Sequence, residues 1–234
     1  MIHIIKSNER GLTNISWLKS FHSFSFGDYY NPDSMHYGSL RVINDDYIAA
    51  GGGFPFHPHK NMEIITYVVD GSLKHEDSMG FSEIINKNEV QKMSAGTGIY
   101  HSEFNPSESE SLHLFQIWIM PEKQNLTPYY EKVSVDEKNK LNKLLKVASS
   151  SGETNTVYVN SSAEMYISKI EKDCNILYKV EEGHGIYLQV VSGEISVGEL
   201  IASAGDAVTI DEKTEVLLNA SSDSEIILFD VVLA

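Results

Sequence analysis

Two short segments carry the residues best suited to chemistry. "GGGFPFHPHKNMEIITYVVDG" places His57 and His59 two positions apart, and "SAGTGIYHSEFN" places His101 and Glu103 at the same spacing. In an extended strand residues i and i+2 point to one face, so each pair projects together. Pro58 biases His57 toward an extended conformation and cannot donate a ladder hydrogen bond, which suits a strand edge or a bulge at the rim of a site. If the two strands are neighbours in a barrel, three imidazole nitrogens and one carboxylate converge on a point. Such donors suit one divalent first-row metal, with Fe, Mn, Ni, Cu and Zn all open. Four protein ligands on an octahedral ion leave positions free, which favours a reactive Fe(II), Mn or Ni centre over a closed structural zinc site. Ligand imidazoles must be neutral, so binding is expected to weaken as the pH falls toward ~6.

The elements that position these residues read as strands. Short runs rich in Ile, Val, Tyr and Leu, such as "MEIITYVVDGSLKHED" and "SLHLFQIWIM", are punctuated by Gly, Asn, Asp and Ser. Their spacing of ~8–12 residues is that of an all-β sandwich or barrel. One exception is "SVDEKNKLNKLLKVASS", where Ser134 can cap, Glu137 follows as in a capping box, and Leu141, Leu144 and Leu145 share a helical face. This predicts two β domains, residues 1–130 and 147–234, joined by a linker with a helix at 131–146. The halves share an outline, "TYVVDGSLKHED" against "LQVVSGEISVGE", but only the first has a His-x-His pair, so the site is assigned to it.

Composition narrows the function classes. The chain has 234 residues, 41% of them hydrophobic, enough for a sizeable core. The formal net charge of −15 repels phosphate backbones, so no direct nucleic-acid partner is expected. No run approaches the ~18 apolar residues of a membrane span, and the reading is a cytoplasmic protein with no membrane partner. Cys174 is the only cysteine, which rules out an internal disulfide and a thiolate metal cluster.

At the level of motifs the sequence resembles the cupin superfamily, and within it the pirin family. Gly51, His57, His59 and Glu63 match the first cupin pattern; Gly98, His101 and Asn105 match the second. "WLKSFHSFSFGDYYNPDSMHYGSLRVINDD", "HPHKNMEIITYVVDGSLKHEDSMG" and "VQKMSAGTGIYHSE" are similar to pirins specifically, and the likeness covers most of residues 10–146. Lys60-Asn61-Met62 and Phe81 depart from the family's usual residues without touching the metal set.

The resemblance implies a bicupin fold, two tandem antiparallel jelly-roll barrels, with one mononuclear metal, usually iron, on His57, His59, His101 and Glu103. General cupins take the carboxylate from the first motif, here Glu63; Glu103 is preferred because it shares a strand face with His101. Glu63 is then expected to orient a ligand imidazole. The resemblance further implies a metal-dependent dioxygenase like the quercetin 2,3-dioxygenases, acting on a small aromatic substrate such as a flavonol with O2. Glu103 is the expected proton acceptor. The rival is a metal-bearing, redox-responsive regulatory or adaptor protein that works through a protein partner. The chain is read as a monomer.

Other residues fill out the expected pocket. Phe54 and Phe56 are placed at its mouth, His75 beside Asp77 as a relay or a polar turn, and His113 on an inward strand face. The aromatic run Trp17, Phe21, Phe24, Phe26, Tyr29 and Tyr30 reads as core and inter-domain packing. His22 and His36 read as structural or exposed.

Overall fold

The computed structural model describes residues 1–233 and is built almost wholly of strands, in two barrels that each pair a seven-stranded sheet with a four-stranded one. Among the described residues no helix is long and apolar enough to cross a membrane. Every pairing between strands is antiparallel except the short parallel contact of Leu145–Ser149 with Val157–Tyr158. The fold is the all-β bicupin expected from the sequence.

Alternation along the strands decides what each sheet buries. In Glu63–Asp70, Ile64 and Val68 point into the first barrel, where they join Leu73, Ile85, Leu112 and Leu114 or Met93 and Ile99. Ile65 and Tyr67 point the other way and pack with Ile43, Phe115 and Ile117 against Met165, Ile167, Ile227 and Phe229 of the second barrel. The two seven-stranded sheets therefore share one apolar layer between the barrels, while the second barrel keeps its own interior around Ile186, Leu188, Leu218 and Leu228. Both faces of these strands are buried, so the runs are continuously hydrophobic.

The connector departs from the linker helix expected within 131–146. Strand Tyr129–Ser134 still belongs to the first barrel, pairing with Glu89–Ser94, and the helix is a single turn, Glu137–Lys140. Asp136 rather than Ser134 caps it, accepting from the Lys138 backbone N–H at 3.0 Å. Leu141 ends it in an extended conformation, Asn142 follows in the left-handed region, and Leu145 already starts the next strand. Strand pairing on either side outweighs the local helical pattern of the three leucines. Its last residue, Lys140, is fully buried: its Nζ donates to Glu225 Oε1 at 2.8 Å, to Tyr67 Oη at 2.8 Å and to Asn88 Oδ1 at 2.9 Å, tying linker and barrels together.

The barrels are also not contiguous in sequence. Strand Ile2–Ile5 lies on the edge of the second barrel's sheet, pairing with Ala207–Ile210. The strand pairing thus differs at both ends from a division at residue 130.

Candidate metal centre

Strands Gly53–His59 and Ile99–Phe104 pair antiparallel in the four-stranded sheet of the first barrel, with His101 opposite His57. Gly53 makes this close: a Cβ there would lie 2.3 Å from the Glu103 carbonyl oxygen. His57, His59 and His101 come together with ligand nitrogens all within 4.8 Å of one another. Their neighbours fix the ring orientations. Pro55 O can only accept, so His57 Nδ1, 2.8 Å away, carries the proton and His57 Nε2 is bare. That bare nitrogen faces His101 Nε2 at 3.0 Å.

His101 Nδ1 in turn lies 2.7 Å from His75 Nε2. If His101 Nε2 is to donate its lone pair to a cation, this hydrogen bond must run from His101 to His75, which sets the tautomer of both rings. His75 is thus the side chain that orients the His101 imidazole, the position in which the sequence reading places Glu63. Burial first, and the adjacent imidazoles second, push His59 down to about 3 and His101 to about 2. His75 is also lowered by burial. His59 and His101 are therefore neutral well below the ordinary range.

Glu103 stands beside the triad. Its Oε2 is 4.0 Å from His101 Nε2, and both carboxylate oxygens accept from Gln116 Nε2, at 3.0 and 2.9 Å. Thr66 Oγ1, 3.0 Å from Gln116 Oε1, holds that amide in place. Glu103 is 4% exposed, and among the described residues no lysine or arginine pairs with it. Buried carboxylates are normally paired or bound to metal. Bare imidazole nitrogens facing one another, next to a buried carboxylate without a cation, are a donor set that fits a divalent transition metal.

Several expectations for neighbouring residues change. Glu63 has the strand parity of Ile65 and Tyr67, so it turns away from the barrel interior. Its carboxylate pairs with Lys92 at 2.9 Å, accepts from Ser94 and meets the Asn160 backbone N–H of the second barrel at 3.4 Å. His113 likewise shares the outward parity of Phe115; it bonds Asp45 Oδ1 at 2.7 Å and stacks on Tyr47. Between Phe54 and His57 the strand carries a one-residue bulge opposite His101 and Glu103. The bulge turns both Phe54 and His57 toward the cavity and leaves Phe56 57% exposed. Asn105 of the second motif is structural, its amide donating to the carbonyls of Ile48, Ala49 and Glu110.

A cavity of about 380 Å³ opens beside His57, His59 and Glu103. Phe26 and Trp118 meet edge-on at one side, and Trp118 stands edge-on to His59. Gln116, Trp118, Asp46, Asn44 and His22 all line it and were not singled out as pocket residues in the sequence. The signal was present in "SLHLFQIWIM", where Gln116 and Trp118 share a face; it is the face opposite His113. Of the aromatic run, Phe26 lines the cavity while Phe24 packs against Tyr187 of the second barrel and Tyr30 is exposed.

Comparisons with known proteins agree with this architecture. The sequence profile of the family described as Pirin matches residues 5–119, and that described as the quercetinase C-terminal cupin domain matches residues 146–231. The chain is similar to a protein named quercetin 2,3-dioxygenase from Escherichia coli strain K12, 44% identical over 231 residues that span 99% of each chain. The crystal structure of YhhW from Escherichia coli superposes with a TM-score of 0.96 at 44% identity, covering 100% of this chain and 99% of that one. A second structure, bacterial pirin YhhW in complex with nickel(II), gives 0.95 at 43% identity with full coverage of both.

Proposed function

Since the chain belongs to the pirin family, we propose that it is a metal-dependent dioxygenase acting on flavonols of the quercetin type. In this reading His57, His59, His101 and Glu103 hold one divalent ion, Fe(II) first among the candidates. The observation that carries it is the donor set itself: three converging imidazoles and a buried carboxylate without a cation, at the edge of an aromatic-lined cavity. The relative named quercetin 2,3-dioxygenase and the nickel(II)-bound pirin support the substrate class and a divalent metal.

When bound, the ion supplies Lewis acidity and a template for an adjacent hydroxyl and carbonyl pair on the substrate. The chain's own residues do the rest. Glu103, aimed by Gln116, takes the proton of the substrate hydroxyl at one of its carboxylate oxygens. Phe26, Phe54 and Trp118 offer apolar surface to a flat ring and keep water from it. His75 fixes the plane of His101. Overall, both atoms of O2 enter the flavonol, its central ring opens and carbon monoxide leaves.

The test is to purify the protein without a metal-chelating step, measure metal content by mass spectrometry, and follow quercetin loss under air for wild type and Glu103→Ala. About one metal per chain with quercetin consumed by wild type, and both lost in the variant, is the expected result. Metal retained while quercetin persists would overturn the enzymatic reading in favour of a regulatory protein with a protein partner.

A further inference from the structure

Strand Leu40–Ile48 carries adjacent aspartates that alternate to opposite faces of the sheet. Asp45 turns outward and is held by Arg10 Nη1 at 3.1 Å and His113 Nε2 at 2.7 Å. Asp46 turns to the cavity. It is 2% exposed, no lysine, arginine or histidine pairs with it among the described residues, and its Oδ1 has no hydrogen-bond partner. Burial above all, opposed by Ser20 and aided by Asp45 and Glu103, raises its pKa to about 7, so near neutral pH a large share of these carboxyls carries a proton.

Beside it on the cavity wall, Asn44 is 3% exposed and its Oδ1 lies 2.8 Å from His22 Nδ1. These groups sit on the seven-stranded sheet, whereas the three histidines sit on the four-stranded one; the cavity lies between.

We propose that Asp46, with Asn44 beside it, is the specificity-determining contact of the cavity, binding a hydroxyl or carbonyl oxygen of a flat aromatic substrate from the sheet that faces the histidines across the cavity. The inference rests on the reading of the site as a flavonol-cleaving centre. A wall of buried polar groups discriminates strongly, because a substrate without the matching oxygen leaves them unpaired. The pocket therefore selects polyhydroxylated ring systems over bare aromatic ones.

The experiment uses the metal-loaded protein with two substrates: quercetin, and 3-hydroxyflavone, which keeps the hydroxyl and carbonyl pair but lacks the other ring hydroxyls. Asp46→Ala is expected to lower the ratio of kcat/KM for quercetin to that for 3-hydroxyflavone about tenfold, through KM for quercetin. Asp46→Asn, which keeps a donor of the same shape, holds the ratio within about threefold of wild type. Circular dichroism and metal content establish that both variants are folded and loaded. A ratio in Asp46→Ala equal to wild type overturns the inference, as does an Asn variant that loses as much as Ala. If wild type cleaves neither flavonol, the proposed reaction fails separately. The contact is then read from quenching of Trp118 fluorescence on binding the same two compounds, where an unchanged affinity ratio in Asp46→Ala overturns it.

Discussion

Removing the ammonium of Lys140 tests whether the two barrels are held as one unit. Lys140 is 0% exposed and its only ion-pair partner among the described residues, Glu225, has a side chain 11% exposed. Lys140→Met leaves that carboxylate buried without its cation and takes a partner from the Tyr67 hydroxyl, which itself bonds Glu225. Breaking one side of such a pair costs about 3–5 kcal/mol. For a chain of this length about 1 kcal/mol moves Tm by roughly 2–4 °C, so the variant should melt about 6–20 °C lower. Glu225→Leu strands Lys140 in the same way. The double variant Lys140→Met, Glu225→Leu replaces both charges by apolar groups in an already apolar layer, so its loss should fall well short of the sum of the two single losses. Differential scanning calorimetry at fixed metal content reads all four proteins. One transition is expected, since Tyr67, Phe115, Met165 and Phe229 lie in one continuous core. Single variants within about 1 kcal/mol of wild type, or losses that simply add, would refute the reasoning.

Other consequences can be measured directly. His75→Ala should weaken metal binding about 10- to 100-fold in a competition titration against a chelator, because His101 loses the partner that orients it; His113→Ala, whose ring bonds Asp45 on the outward face, should leave it within about twofold. Gly53→Ala forces the strands of the centre apart and should cost about 1–3 kcal/mol in denaturant unfolding, with metal content falling in parallel. Asp46 has a folded pKa of about 7 against 3.8 as a free carboxyl, so the native state holds a proton that the unfolded chain has released between those values. Stability from this group is therefore lost as pH rises from about 4 to 7, by roughly 4 kcal/mol in total. In chelator, Asp46→Asn should gain on wild type across that window and hold its advantage above it; a difference that does not vary with pH would contradict the assignment.

How much of this was legible in the sequence depends on which residue is asked. His57, His59, His101 and Glu103 were legible because the i, i+2 rule survives on a pleated strand and both pairs lie on strands that meet. Phe56 was misplaced because the bulge after Phe54 shifts parity by one, and a bulge leaves no mark in composition. Glu63 and His113 were misread for a related reason. Both faces of their strands are buried, one in the barrel and one between barrels, so hydrophobic alternation could not say which way each points. Asp46 and Asn44 sit in "RVINDDYIAA", a strand whose Asn-Asp-Asp run does not say which face is the cavity; three polar side chains are tolerated mid-strand because Asp45 finds Arg10 and the other two face the cavity. The linking helix was overextended because Leu141, Leu144 and Leu145 keep helical spacing although strand pairing claims the last of them.

The edge position of Ile2–Ile5 has a meaning for biosynthesis. These four residues leave the ribosome well before the strand they pair with, Ala207–Ile210, which follows roughly 200 residues later. At ~5–20 residues per second the wait is on the order of 10–40 s. Through that interval the first barrel can close around its own strands while an unpaired apolar segment, Ile-His-Ile-Ile, stays tethered outside it. Completion of the second barrel is thus the event that removes this segment from reach of other chains, which makes the late steps of synthesis the period when the nascent protein is most open to mispairing at that edge.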